Sequence, residues 1–378
     1  MGQIRPLTAS DIPSVAMLFQ RAFRQTDAAS STAFVNCLHG LYIDQPLVHD
    51  SLPSLVHEGR TGISGFISRH RLPMQIGGRA VDAALLGTIM ADNRAGHSLI
   101  GPKLLKAALA GPQDFSFADT ASDISRALGQ RLGCTPLPAH SLNWLRIIRP
   151  TQWLADQVTQ RFSPFGLLAP VAGAVDALLR RRIRPNRPRW FAYAPLGAHG
   201  TSGVAGAGKS ATVRDIDADG FAVLFAEFSA RFALRPRWRS QDISALARQA
   251  MEKRLFGTPC FGAVTDQRGR TIGCFLYHLK KGSTARVLQA LAAPGSEGVV
   301  LDALIAHAAD HGAAAIIGRT EAWLMQAMLG RRIAFTNTAS SMIHSRDAAI
   351  LDAIASGDVL LNGLVGEQWS PMIGNRFE

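Results

Sequence analysis

Apolar positions along this chain switch repeatedly between a helical and a strand-like period. A short strand-like run over residues 4–7 comes first. Thr8-Ala9-Ser10-Asp11 then reads as a capping box with Asp in the role of Glu, and Val15, Leu18, Phe19, Ala22 and Phe23 follow at helical spacing. The runs 52–58 and 62–69 flank Gly59-Arg60-Thr61 and predict a hairpin. Val81 to Met90 carries only Asp82 as a charge, which fits a central strand buried on both faces. A turn over 91–101 leads to a helix over 102–110 with Leu104, Leu105, Ala108 and Leu109 on one face. Pro102 suits its first turn, where a missing N–H costs nothing. A strand over 115–118, a helix over 123–132 stopped by Gly133, and a strand over 142–147 complete this half.

The same order returns further on. Residues 211–216 read as a strand, 220–232 as a helix, and 261–265 with 271–279 as a hairpin. A strand over 286–292, the turn 293–298, a helix over 299–309, a strand over 313–317 and a helix over 321–329 follow, and strand-like runs close the chain. An internal duplication of about 150 residues is the simplest account. The α/β (α+β) reading is therefore two mixed-sheet domains in tandem, over 1–150 and 211–378. Residues 151–210 form a linker containing an apolar helix over 162–179 and a cluster of arginines.

Composition supports this and narrows the function classes. A chain of 378 residues with 47% hydrophobic and 18% charged residues is globular and long enough for more than one core. No signal-like segment opens it and no apolar run is long enough to span a bilayer, so a cytoplasmic protein is expected. Cys37, Cys134, Cys260 and Cys274 form no CxxC pair, so buried free thiols and no metal are expected. The net charge of +12 favours an anionic partner, yet no nucleic-acid-binding motif accompanies it. Much of the excess lies in Arg180–Arg189. Beside the apolar helix, that stretch suits either a packed linker or peripheral contact with an anionic membrane.

Gly203-Val204-Ala205-Gly206-Ala207-Gly208-Lys209-Ser210 satisfies the spacing of a phosphate loop. Such a loop needs a buried strand before it and a helix after it. Here a Gly/Ala/Ser-rich stretch precedes it and the strand-like 211–216 follows, so it reads as linker.

Three segments carry a family resemblance. Ile4-Arg5-Pro6-Leu7-Thr8 with Asp11 and its amphipathic helix, the hairpin from Leu55-Val56-His57-Glu58-Gly59 to Gly62-Ile63-Ser64-Gly65-Phe66, and the helix ending at Leu132-Gly133-Cys134 resemble the GNAT acyltransferase superfamily. The resemblance implies a tandem double-domain member. Its activity would move an acyl group from acetyl-CoA or another acyl-CoA to the amine or hydroxyl of a small-molecule or peptide acceptor. The alternative is a non-catalytic binding or scaffold protein made of two decayed copies of the fold.

In that superfamily the CoA pyrophosphate lies on backbone N–H groups at a helix N-terminus, and the pantetheine arm pairs with the splayed central strand. Carried onto the first copy, this assigns the cofactor to Met90, Arg94, Gly96, Ser98, Gly101 and Lys103. The loop departs from the superfamily's Gly-rich pattern, with Gly96 where Arg or Gln is usual and Leu99 where Gly is usual. The second copy carries Glu297 in the equivalent turn, a charge that would repel phosphate, so the first copy is favoured. The superfamily's Tyr on the last helix falls at Gly129. Asp119 is the nearest candidate catalytic base or amine-binding carboxylate, and its alternative is an N-cap for the next helix. Tyr277 and His278 point to opposite faces of one strand, one toward core and one toward solvent.

Overall fold

The computed structural model describes residues 2–60, 62–92, 99–161 and 211–370. The apolar helix over 162–179, Arg180–Arg189 and the phosphate-loop spacing at 203–210 lie outside them. The strands of the first half are β1 (Gln3–Pro6), β2 (Leu55–Gly59), β3 (Gly62–Ile76), β4 (Arg79–Ala91), β5 (Phe115–Ala121), β6 (Thr135–Pro136) and β7 (Leu142–Ile147). Its helices are α1 (Ile12–Phe23), α2 (Thr32–His39), α3 (Ile100–Leu109), α4 (Asp123–Arg131), α5 (Pro138–Ser141) and α6 (Pro150–Arg161). The second half contains β8 (Ala211–Asp215), α7 (Ala218–Ser229), β9 (Leu234–Pro236), α8 (Ser240–Met251), β10 (Thr258–Asp266), β11 (Thr271–Leu279) and β12 (Thr284–Ala292). It continues with α9 (Glu297–Asp310), β13 (Ala315–Arg319), α10 (Ala322–Met328), β14 (Ala334–Asn337), β15 (Ser340–Ser345) and α11 (Ala348–Ser356). Among the described residues no helix is long and apolar enough to cross a membrane.

Local chemistry sets the element ends. The Asp11 carboxylate accepts from the Thr8 backbone N–H at 2.9 Å and from Thr8 Oγ1 at 2.8 Å, which is the acidic half of the expected capping box. Arg5 clamps the same carboxylate at 2.7 Å and holds its pKa down to about 2. Gly133 ends α4 in the left-handed region at φ 89°. The N-cap of α4 is Ser122, whose hydroxyl accepts from the Ser125 N–H at 3.2 Å, so the N-cap reading of Asp119 does not hold.

The strands make two mixed sheets, one of eight strands and one of seven. Their path crosses between the halves of the chain. In the first sheet the order is β1-β2-β3-β4-β5-β15-β6, and in the second it is β14-β7-β13-β12-β11-β10-β8. The slot beside β5 is thus filled by β15 from the end of the chain (Met342↔Ala118, Ile343↔Phe117). The slot beside β13 is filled by β7 from the first half (Leu145↔Ile317, Trp144↔Gly318). β9 adds a third crossing by pairing with the far end of β3 (Met74↔Pro236). In each sheet one parallel pair, β4 with β5 and β12 with β13, interrupts an otherwise antiparallel ladder.

The largest core lies between the halves. It joins Phe34, Tyr42 and Phe66 of the first half to Phe221, Phe225 and Leu246 of the second, with Leu364, Val365 and Trp369 from the closing segment. The outer face of each sheet has its own cluster, under α3 in the first and α9 in the second. Because both faces of the second sheet are covered, Tyr277 and His278 are both buried, at 0% and 2% exposure, where one exposed face was expected. The His278 ring lies 2.8 Å from the Ala250 carbonyl of α8, and burial pushes its pKa down to about 4.

Candidate active site

The β4–β5 pair is short. Its ladder runs only from Ala83↔Phe115 to Leu85↔Phe117, and beyond that the strands diverge. A cavity of about 410 Å³ opens in the divergence. Gly87, Thr88 and Ile89 form one side and Ala118, Thr120 and Ala121 the other. Leu105 and Leu109 of α3, Leu128 and Gly129 of α4, and Phe19 and Phe23 of α1 close it. The walls are apolar for a simple reason. Between adjacent strands that no longer pair, the remaining backbone edges are the polar groups, and helix side chains cover the rest.

One carboxyl enters this space, and it comes from the far end of the chain. The side chain of Glu367 lines the cavity. One of its oxygens accepts from Thr120 Oγ1 at 2.5 Å, and the Thr88 backbone N–H donates to the carboxyl from the other strand. Burial, followed by the nearby Asp119 carboxylate, pushes the Glu367 pKa up to about 8. Its approach requires a bare backbone: a Cβ at Gly87 would collide with Glu367 Oε1. A Cβ at Gly366 would collide with Asp119 Oδ2 in the same way.

Asp119 sits on β5 at 1% exposure and does not line the cavity. Its Oδ1 accepts from the Glu367 backbone N–H at 3.1 Å, and burial raises its pKa. Arg319 of β13 donates to the Asp119 carbonyl at 2.6 Å and to the Ser141 carbonyl at 3.0 Å, tying this point of the first sheet to the second. Behind Thr88, the Tyr42 hydroxyl donates to Thr88 Oγ1 at 3.2 Å, and burial raises the Tyr42 pKa. Lys253 donates to the Gln368 carbonyl next to Glu367, with its pKa lowered to about 7 by burial.

Of the residues the sequence assigned to the cofactor, Arg94, Gly96 and Ser98 lie outside the described residues. Met90 directly follows the stretch of β4 that lines the cavity, and its side chain packs into the central core at 3% exposure, opposite Phe66. Gly101 and Lys103 are in the first turn of α3, and a Cβ at Gly101 would meet nothing within 4 Å. Gly129, where the superfamily's Tyr would stand, packs so closely on Met342 of β15 that even a Cβ would collide with it.

The second divergence, between β12 and β13, is occupied by the chain itself. The Leu364 N–H donates to Gln289 Oε1 at 3.1 Å, and Asn362 Nδ2 donates to the Thr320 carbonyl at 2.6 Å. The Asn362 N–H donates to Glu321 Oε1 at 3.1 Å. Glu297, whose charge is expected to repel phosphate, is paired with Arg231 at 2.9 Å.

Sequence reading missed Glu367. Its only signal is an acid directly after the mostly apolar run from Val359 to Gly366, a poor cue without knowledge of where that run goes.

No protein-family model matches the sequence, and no curated protein matches it. Solved structures do. A GCN5-related N-acetyltransferase from Kribbella flavida is similar at TM-score 0.53 and 13% identity, over 93% of this chain and 73% of that one. A probable N-acyltransferase of unknown function from Enterococcus faecalis V583 is similar at 0.54 and 10%, over 91% and 73%. A GCN5-related N-acetyltransferase from Anabaena variabilis is similar at 0.56 and 9%, over 93% and 75%. The two mixed sheets of this chain share the fold of these structures.

Proposed function

We propose that this chain transfers an acyl group from acetyl-CoA or a longer acyl-CoA to the amine or hydroxyl of a small-molecule or peptide acceptor, at the divergence of β4 and β5. The observation that carries this reading is a buried carboxyl, Glu367, inside an apolar cavity of about 410 Å³ between those two strands.

The pantetheine arm would run along the unpaired edge of β4 from Gly87 toward Met90 and add hydrogen bonds as another strand would. The pyrophosphate would lie at the N-terminus of α3, where the N–H groups of the first turn, including that of Gly101, face it and Lys103 supplies a positive charge. Arg94, Gly96 and Ser98 belong to the same proposed contact.

The acceptor attacks the thioester carbonyl carbon and a proton leaves its nitrogen or oxygen. Glu367 is suited to receive that proton. A base with a pKa near working pH balances availability against strength, and a value of about 8 lies closer to that optimum than an ordinary carboxylate. The C–S bond then breaks, and CoA leaves as a thiolate that takes up a proton. Asp119 is a positioning residue in this scheme, because it fixes the Glu367 backbone and not the acceptor.

The lack of any side chain at Gly129, where the superfamily's Tyr would stand, favours the second reading, a binding protein without catalysis. Titration with acetyl-CoA and longer acyl-CoAs, followed by melting temperature and by release of free thiol, tests both. A ligand that binds only the native state must raise the melting temperature. A rise with thiol release supports the transferase, a rise alone supports the binding protein, and no rise with any acyl-CoA at saturating concentration sinks the transferase.

A further inference from the structure

A second cluster of chemically capable side chains lies on the outer face of the second sheet, away from the cavity. His307 and His311 are one helical turn apart at the C-terminal end of α9, so both rings project from the same side. Asp215 ends the edge strand β8, beside them. His307 Nε2 lies 3.0 Å from Asp215 Oδ1, the two imidazole rings are 4.1 Å apart, and one ligand atom from each of the three residues lies within 4.8 Å of the others.

The hydrogen bonds at the back of the rings are informative. His307 Nδ1 is 2.8 Å from the Tyr277 hydroxyl, and His311 Nδ1 is 2.8 Å from the His307 carbonyl. A carbonyl only accepts, so His311 carries its proton on Nδ1 and leaves the Nε2 lone pair free. If Tyr277 likewise accepts from His307 Nδ1, then Nε2 of that ring is also a lone pair. This is the usual pattern in metal-binding histidines, whose second nitrogen is held by a carbonyl or another polar group. A hydrogen-bonded His–Asp pair alone would not need the second imidazole packed against the first.

We propose that Asp215, His307 and His311 form a three-ligand site for a divalent transition cation of the Zn²⁺ class, with a fourth position open to solvent. The donor set of two imidazoles and one carboxylate suits that class. Tetrahedral Zn²⁺ with bonds of about 2.0–2.2 Å sets its ligands about 3.3 Å apart. Asp215 and His307 already meet that spacing. His311 is exposed, and its ligand atom lies within 4.8 Å of the other two. The Asp215 side chain is 76% exposed, so an ion reaches the site directly from solvent. Its structural effect would be to pin β8, which among the described residues is paired only with β10, to α9.

The test uses the full-length chain without a histidine tag, stripped with chelator and titrated with Zn²⁺ by calorimetry and with Co²⁺ by visible absorption. One ion per chain is expected, with a Co²⁺ spectrum of low coordination number and a rise in melting temperature on adding Zn²⁺. His311→Ala removes an exposed ligand without disturbing the core and should weaken binding at least 100-fold. Tyr277→Phe should weaken it about 10-fold to 100-fold through loss of ring orientation. Failure of the wild-type chain to bind one Zn²⁺, or unchanged affinity in both His311→Ala and Asp215→Asn, would overturn the proposal.

Discussion

Replacing Glu367 by Gln tests the central feature of the cavity in a way that does not depend on knowing the acceptor. In the folded chain this carboxyl is pushed up from 4.5 to about 8, chiefly by burial. In the unfolded chain it ionises near its ordinary value. Between those two values the folded state holds a proton that the unfolded state has released, so stability falls as pH rises. The contribution is fully present below about pH 4.5 and is lost as pH climbs to about 8. At about 1.36 kcal/mol per unit the loss amounts to roughly 3–5 kcal/mol.

Gln is neutral throughout and nearly isosteric, and Thr120 Oγ1 can either donate to it or accept from it. His278, with a pKa of about 4, and Lys253, at about 7, add slopes of the opposite sign, but both proteins share them. The difference between the two proteins therefore reports Glu367 together with its coupling to Asp119. Urea unfolding followed by circular dichroism at about pH 5, 7 and 8.5 is the assay. The midpoints should coincide near pH 5 and separate with rising pH, with the Gln variant the more stable. Parallel pH dependences, or a Gln variant that is less stable at the highest pH, would mean that Glu367 ionises normally, and the argument for it as a tuned base would fail.

The same variant should lose the rise in transfer rate with pH, up to about 8, that the wild type is expected to show, as read from the pH profile of kcat/KM. Gly87→Ala forces a methyl against the Glu367 carboxyl and should cost about 1–3 kcal/mol in chemical denaturation, with weakened acyl-CoA binding. Arg319→Leu leaves the Asp119 and Ser141 carbonyls without their charged donor and should destabilise by about 3 kcal/mol; a change under about 0.5 kcal/mol would show that water replaces it freely. Lys103→Glu should raise the Kd for acyl-CoA about tenfold while leaving the melting temperature of the free protein unchanged. An unaltered Kd would move the pyrophosphate away from α3.

Much of the fold was legible in periodicity. β3, β4, α1, α3, α9 and the β10–β11 hairpin each bury one face or both, and a buried face writes its period into the sequence. What was missed lies where that signal is weak or absent. β9 has three residues, α8 has a clear buried face but opens after Arg239 and not after a Ser, Thr, Asp or Asn cap, and α11 follows strand-like runs. Tyr277 and His278 misled for a related reason: alternation says that two residues face opposite ways, but whether both faces are covered depends on what packs above them.

The candidate site divides along the same line. The exit of β4 and the first turn of α3 could be placed from sequence, because strand, turn and helix there are contiguous. Asp119 was picked out by its position at a strand end, and the three-dimensional fold turned its carboxylate toward the Glu367 backbone and away from the cavity. Sequence alone determined the identity and order of the local elements and that the plan occurs twice. Tertiary structure decided which edge each strand joins. A strand such as β7 or β15 has the same hydrogen-bonding groups for either sheet. Its destination is settled by side-chain fit, as when Trp144 packs on Gly318, and by a closing segment that threads between the two halves. That segment carries Glu367 into a cavity whose strands lie some 250 positions earlier in the chain, through pairing that no local pattern encodes.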